Sequence, residues 1–235
     1  MKNNLSIINT LLLIGLISYV LFQNFGSTEI QEEIKVQRLS IVGPDGHLYI
    51  SISNPEKQAL ATIDGEPISS ETNRDLPGII FFNRIGDELG GIFHDGTENE
   101  SFAGITFDKQ KDDQILAIMK DEYKDGDEWK QWYGLFLRER SDSITQTQMF
   151  RDFHEETAGY TEKEREEAYQ AMRKLQDEKI NVYRMFLGME ENEDVGLFLY
   201  DNEGKERIKI YIDEDDHAHF MILDKTGNAI EHLYN

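Results

Sequence analysis

Short runs in which apolar and polar residues alternate dominate the end of the sequence, residues 196–234. Each run stops at an Asp or Asn, passes through a short turn, usually with a glycine, and resumes. Ile208 and Ile210, for example, alternate with Lys209 and Tyr211. Because the side chains of a strand point alternately to its two faces, this pattern predicts hairpins with one buried face and one face in water.

Looser versions of the pattern occur upstream and predict four further hairpins, at residues 36–54, 78–96, 103–121 and 131–150. In the first of them the letters "GPDG" predict a tight turn, because proline presets φ and glycine tolerates a positive φ. Residues 55–77 contain three of the four prolines and little periodicity, so they predict a long irregular loop.

A glycine followed at once by apolar alternation recurs at Gly78, Gly104, Gly134 and Gly196. Its spacing is too irregular for a solenoid or propeller. A single hairpin cannot bury its apolar face, whereas several adjacent ones can. The sequence therefore predicts a mainly β fold, either a mostly antiparallel curled sheet or a barrel-like stack of degenerate β-hairpins, with one surface α-helix and one transmembrane helix before it.

The surface helix is predicted at residues 160–179, whose composition favours a helix throughout. Thr161 and Glu164 have the spacing of a capping box, in which each side chain bonds the backbone N–H of the other residue. Ala168 and Met172 belong to a narrow apolar stripe. We expect this helix to pack on the sheet with one side; a partner-binding helix is the alternative.

Residues 5–22 carry no charge and would span roughly 27 Å as a helix, close to the thickness of a hydrocarbon core. Lys2 precedes them, and Glu29 and Glu32 follow. This charge distribution predicts a retained signal anchor with a cytoplasmic N-terminus. A cleaved signal peptide and a buried helix are the alternatives.

The predicted organisation is thus an anchor at residues 1–23, a polar stalk at 24–35 and a β-rich extracytoplasmic domain at 36–235. Residues 5–22 would hold the protein in the membrane as a single-pass protein, with the domain periplasmic or extracellular.

Charge and cysteine content exclude several classes of function. The chain has 46 acidic and 24 basic residues and a net charge of -22, so nucleic acid would be repelled. It has no cysteine, which excludes disulfides, zinc–thiolate sites and cysteine nucleophiles. No P-loop, H-E-x-x-H or G-x-S-x-G motif is present.

Three stretches of the sequence, residues 38–54, 78–96 and 196–230, carry turns between β-arms that resemble a group of uncharacterised bacterial proteins. Those proteins have an N-terminal membrane segment and turns of the form Asp-x-x-Gly-x-x-Arg. Here Asp201, Gly204 and Arg207 match that form. The resemblance implies a fold and implies no activity.

One acidic stretch is the candidate metal site, because carboxylates and imidazoles on one side of a strand could hold a divalent cation. The candidate ligands are Asp213, Asp215, Asp216, His217 and His219. A solvated hairpin turn is the alternative.

A second stretch, residues 83–91, could shape a ligand-facing loop through Asp87, Glu88 and two glycines, with a bulged turn as the alternative. With no catalytic motif and no cofactor motif, we expect a non-enzymatic membrane-anchored envelope domain that binds an unknown protein partner or has a structural role. The alternatives are a divalent-cation-binding domain and a carbohydrate-acting domain that uses two carboxylates.

Overall fold

The computed structural model divides the chain into two units, Met1–Val36 and Gln37–Asn235. It describes residues 2–25, 32–63, 65–67, 74–142, 145–179 and 181–230. Part of the predicted stalk, residues 26–31, lies outside the described residues.

The first unit contains helix α1 (Lys2–Phe25). Within the described residues, no helix has both the length and the apolar character that crossing a membrane requires. The predictions of a transmembrane helix at residues 5–22 and of a single-pass membrane location are therefore wrong.

The second unit is mainly β. Its strands are β1 (Arg38–Val42), β2 (Leu48–Ser53), β3 (Thr62–Ile63), β4 (Glu66–Pro67), β5 (Gly78–Phe82), β6 (Glu88–Gly96), β7 (Glu100–Asp108), β8 (Gln114–Asp125), β9 (Glu128–Arg140), β10 (Asn181–Met189), β11 (Val195–Tyr200), β12 (Glu206–Ile212) and β13 (Ala218–Ile222). Helices α2 (Gln146–Glu156) and α3 (Glu162–Lys179) lie between β9 and β10 in the chain.

Eleven of these strands form one antiparallel sheet in the order β1-β2-β5-β6-β7-β8-β9-β10-β11-β12-β13. Every neighbour in the sheet is also the next large strand in the chain, so the sheet is an open meander with β1 and β13 at its edges. The predicted loop at 55–77 connects β2 to β5; it contains a 3₁₀ turn (Pro55–Lys57) and the small β3–β4 hairpin.

Seven hairpin turns among the described residues share one hydrogen-bond pattern. The N–H of the first residue donates to the carbonyl of the fifth, and the N–H of the fourth donates to the carbonyl of the first. In the Asp201 turn these distances are 2.9 and 3.1 Å. The turns begin at Gly43, Asn83, Lys109, Glu190, Asp201, Asp213 and Asp224.

The fourth turn residue has a positive φ in six of these turns, which explains why glycine is frequent there. In four turns the side chain of the first residue also accepts hydrogen bonds from the third and fifth backbone N–H groups. Four of the turns are therefore built by an Asn or Asp cap, with Asn83, Asp201, Asp213 and Asp224 as the capping residues, and those at Asp201 and Asp224 have the Asp-x-x-Gly form.

The strand register gives the sheet two different faces. On the first, which we call the aromatic face, Ala117, Phe136, Phe186 and Phe198 are directly paired across four strands and form the main buried cluster. Met119, Trp132, Tyr200 and Tyr211 pack against this cluster. A smaller buried cluster is formed by Ala59, Ile80 and Phe82.

Next to the main cluster a row of paired glycines crosses the sheet at Gly134, Gly188 and Gly196. A side chain at Gly188 would collide with the Tyr133 carbonyl oxygen and would lie 2.6 Å from the Gly134 Cα and 2.9 Å from the Phe186 ring. Two of the four glycines that the sequence pattern singled out thus lie in this row, where neighbouring strands and a ring occupy the space of a Cβ atom.

Two predictions are corrected by the structure: the hairpin at residues 131–150 and the single surface helix. Residues 131–150 do not form a hairpin, because β9 is followed by helix α2, whose N-terminus is capped by a hydrogen bond from Gln148 N to Thr145 Oγ1 of 3.1 Å. The described residues of this unit therefore contain two α-helices in place of one. The predicted helix is α3, and its capping box forms, with Thr161 N donating to Glu164 Oε2 at 2.9 Å.

The glycine row yields a stability prediction. We expect Gly188→Ala to lower the free energy of unfolding by about 1–3 kcal/mol, because the atoms that a Cβ would meet include fixed backbone. Gly159→Ala is the matched control, since a Cβ at Gly159 meets nothing within 4 Å. Urea unfolding of the full chain measures both; equal stability of the two variants would contradict this account of the glycine row.

Candidate functional site

The candidate metal ligands lie in and beside the Asp213 turn. Asp213 Oδ1 accepts hydrogen bonds from the N–H groups of Asp215 and His217 at 3.0 and 2.9 Å, and Asp213 Oδ2 lies 2.6 Å from His219 Nε2. The hydrogen bond with His219, followed by the backbone bonds, lowers the pKa of Asp213 to about 2. Asp213 is therefore the capping residue of the turn.

The structure thus brings Asp213 together with His217 and His219, whereas Asp215 and Asp216 are exposed turn residues. The His219 ring also stacks on Tyr211 with 4.6 Å between centroids. In the described parts of the chain, no group of three or more His, Asp or Glu side chains is arranged to hold a metal ion. The metal site at this turn stays a prediction.

The second predicted stretch, residues 83–91, forms a bulged turn, and its two acidic residues have separate environments. A register shift between Phe81 and Phe82 marks the bulge. The Asp87 side chain is fully buried, and its Oδ2 accepts a hydrogen bond of 3.3 Å from Asn83. Glu88 forms a two-point ion pair with Arg74 and lines a cavity.

We call this space of about 290 Å³ the polar cavity. It is lined by Gln58, Arg74, Asp75, Leu76, Ile80, Glu88, Gly91, Phe93, Thr106, Asp108, Asp113 and Gln114. Two of its carboxylates pair with arginines: Glu88 with Arg74, and Asp113 with Arg140 at 2.8 Å. The cavity therefore contains ion pairs that the sequence analysis missed, because their members are far apart in the chain.

Asp108 is the unusual group of the polar cavity. Its Oδ1 is buried and has no hydrogen-bond partner among the described residues. Burial, followed by the nearby charges of Glu88 and Asp113, raises the pKa of Asp108 to about 8. At neutral pH Asp108 is thus mostly protonated and able to donate a hydrogen bond or a proton.

A shallow aromatic groove of about 350 Å³ lies on the aromatic face. Its lining is Trp132, Phe136, Tyr183, Phe186, Glu190, Glu191, Tyr200 and Gly204. The Trp132 ring meets Phe136 edge-on at 5.4 Å, whereas Trp129 is 56% exposed. Burial raises the pKa of Tyr200 to about 12, so this hydroxyl stays neutral. The groove is an extension of the main buried cluster.

The opposite side of the sheet, which we call the aliphatic face, carries two unbroken transverse rows of paired residues. The first row is Leu39, Ile52, Ile79, Ile92, Ile105, Ile118, Leu135, Leu187, Leu197, Ile210 and Phe220. The second is Ile41, Ile50, Phe81, Gly90, Phe107, Leu116, Leu137, Met185, Leu199, Ile208 and Ile222. Both rows cross all eleven strands, and no member is charged.

Much of the aliphatic face is open to solvent. Ten members of the two rows are between 36% and 54% exposed, with Ile105 and Ile118 at these limits. Single exposed apolar residues are common on proteins, whereas a continuous patch of this size marks a contact surface. The sequences of the strands "GIIFF" and "GLFLY" already indicate a second apolar face, because an uninterrupted apolar run makes both faces of a strand apolar.

Strand β12 reverses the prediction of one buried aliphatic face. Ile210 and Ile212 are 44% and 43% exposed. The Lys209 side chain, which points to the aromatic face, is 19% exposed, and its Nζ lies 5.3 Å from the Phe198 ring centroid. The alternation is present, but the face that was expected in water is the packed one.

Neither the models of known protein families nor the curated protein sequences match this chain. The surfaces and cavities described above are therefore the basis on which a function can be inferred.

The raised pKa of Asp108 predicts a pH dependence of stability. The folded-state pKa is about 8 against an ordinary 3.8, so folding binds a proton between these values and stability falls as pH rises towards 8. We expect the advantage of Asp108→Asn over the wild type to grow by at least about 1 kcal/mol between pH 5.5 and pH 8.5. Urea unfolding across this range measures it; a constant difference would mean that Asp108 is ionised in the fold.

Proposed function

We propose that this protein is a non-enzymatic domain with a protein-interaction or structural role, and that the aliphatic face is its contact surface. The observation that carries the proposal is the pair of uncharged rows that cross all eleven strands. A sheet with an apolar face is stable in water when a second layer covers that face.

Covering the aliphatic face would supply free energy of the size that association requires. Covering each half-exposed Leu, Ile or Phe would stabilise the covered state by about 1 kcal/mol, half the value for burying a whole side chain. Ten such residues offer on the order of 10 kcal/mol, comparable with the 4–15 kcal/mol that association costs. Further covered area from the other members of the rows makes stable association feasible.

The position of Lys209 also supports the aliphatic face as the contact surface. Strand β12 places its lysine over the rings of Phe198 and Tyr211 and directs Ile210 to the aliphatic face. A chain whose aliphatic face stayed in water would be more stable with these positions exchanged. The sequence therefore favours an aliphatic face that is covered when the protein functions.

Two alternatives have narrower structural support. Cation binding would use Asp213, whose oxygens already accept hydrogen bonds within the turn. Carbohydrate chemistry would use the protonated Asp108 together with a carboxylate of the polar cavity, but Glu88 and Asp113 are engaged with arginines. The aliphatic face is the larger surface, and ten of its row members are between 36% and 54% exposed in the part of the chain that the structure describes.

Cysteine labelling in cells tests whether the aliphatic face is covered. The chain has no cysteine, so Ile118→Cys and Ile85→Cys each introduce a single thiol. Ile118 lies on the aliphatic face and Ile85 in a hairpin turn, and their exposed fractions are similar, 54% and 48%. In intact cells that make the full chain, we expect a permeant maleimide to label the Ile118→Cys thiol at least about tenfold more slowly.

Labelling of both proteins after denaturation in urea provides the reference for intrinsic thiol reactivity. Equal labelling rates in the native state within cells would show an uncovered aliphatic face and would contradict the proposed function.

A further inference from the structure

We propose that the partner of the aliphatic face is a second copy of this chain, and that the two copies pack face to face as a two-layer β-sandwich. This inference rests on the proposed function, because it names the layer that covers the aliphatic face.

The width of the surface is the first argument for a second copy. Eleven strands at about 4.8 Å spacing give a surface about 48 Å wide, and both apolar rows extend across all of it. The other sheet in the described residues has two strands, too few to cover this width. A second copy presents a sheet of the same width with the same two rows.

The composition of the rows is the second argument. The first row consists of Ile and Leu in ten of its eleven positions, so turning one copy over places aliphatic side chains against aliphatic side chains along the whole row. Two aligned sheets with apolar inner faces pack about 10 Å apart, with the strands of one sheet at roughly 30° to those of the other. A two-fold axis near Ile118 on the central strand β8 would generate this arrangement.

The area is the third argument. Two side-chain rows cover roughly 14 Å along the strands, so the two rows offer about 700 Å² per copy and about 1,400 Å² for the pair. Stable interfaces bury about 1,200–2,000 Å² in total. The surface thus has the size that a stable dimer needs.

The net charge of -22 on each chain opposes association, but no charged residue lies in the two rows. The repulsion therefore acts between groups outside the contact, where salt screens it. We expect the dimer to become tighter as the salt concentration rises, the reverse of an interface held by ion pairs.

The test measures the mass of the purified full chain by sedimentation velocity at several salt concentrations. We expect a species of twice 27.3 kDa for the wild type and for Ile85→Asp, and a monomer of unchanged circular dichroism for Ile118→Asp. A dimer of Ile118→Asp as tight as the wild type would overturn the inference, because association would then use another surface, such as the apolar residues of α1.

A second readout does not depend on a charged substitution in a central strand. A bismaleimide that spans about 10 Å, the separation of packed sheets, should join two copies of Ile118→Cys far more efficiently than two copies of Ile85→Cys. Equal yields for the two variants would overturn the inference.

The outcomes separate this inference from the proposed function. A purified monomer whose Ile118→Cys thiol reacts freely, but is protected in cells, would overturn the second copy and leave the proposed function standing with a different partner. A purified monomer in which this thiol is protected would show that the chain covers its own face, which also overturns the second copy. A thiol that reacts freely in both settings would overturn both.

Discussion

The register between neighbouring strands is the constraint on which the rest of this structure depends. Each of the seven similar turns closes with the same two backbone hydrogen bonds, and four of them add an Asn or Asp cap. Turn geometry fixes which residues of a hairpin face each other, and a slip by one residue would move every side chain to the opposite face. Repetition of this turn along the meander aligns like residues into rows across the whole sheet.

The two faces of the sheet differ in how far they bury their own apolar side chains. On the aromatic face, Phe186 lies over Gly134 and Gly188 of the glycine row, and stacks on Phe136 at 4.8 Å. Large rings beside glycines allow a single layer to cover much of its own surface. On the aliphatic face, most members of the two rows are Ile or Leu, and ten members are between 36% and 54% exposed. This asymmetry is why we assign the contact surface to the aliphatic face and not to the aromatic groove.

The sequence was sufficient to predict the parts of the fold that depend on local chemistry. The hairpins at 36–54, 78–96 and 103–121 and the capping box of α3 follow from turn residues and from spacing within a few residues. Helix α2 was missed because residues 131–150 continue from an alternating strand, and the cap at Thr145 is a single short signal.

Features that depend on contacts between distant segments were not predictable in this way. The alignment of Ile118 with Leu135 and Ile105 requires the registers of three strands. The ion pair between Arg74 and Glu88 and the burial of Asp108 require the packing of the segment between β2 and β5 on the sheet. The prediction for β12 failed for the same reason, since alternation identifies two faces but does not determine which of them is covered.

The solvent accessibility of the isoleucine methyl groups tests the central claim most directly, because it needs no substitution. In the full wild-type chain with labelled isoleucine δ1 methyls, a soluble gadolinium probe relaxes each methyl according to its exposure. Ile80, at 5% exposure, and the turn residue Ile85, at 48%, are internal standards. A covered aliphatic face predicts that Ile105, Ile118 and Ile210 relax as slowly as Ile80; relaxation as fast as that of Ile85 would contradict the account.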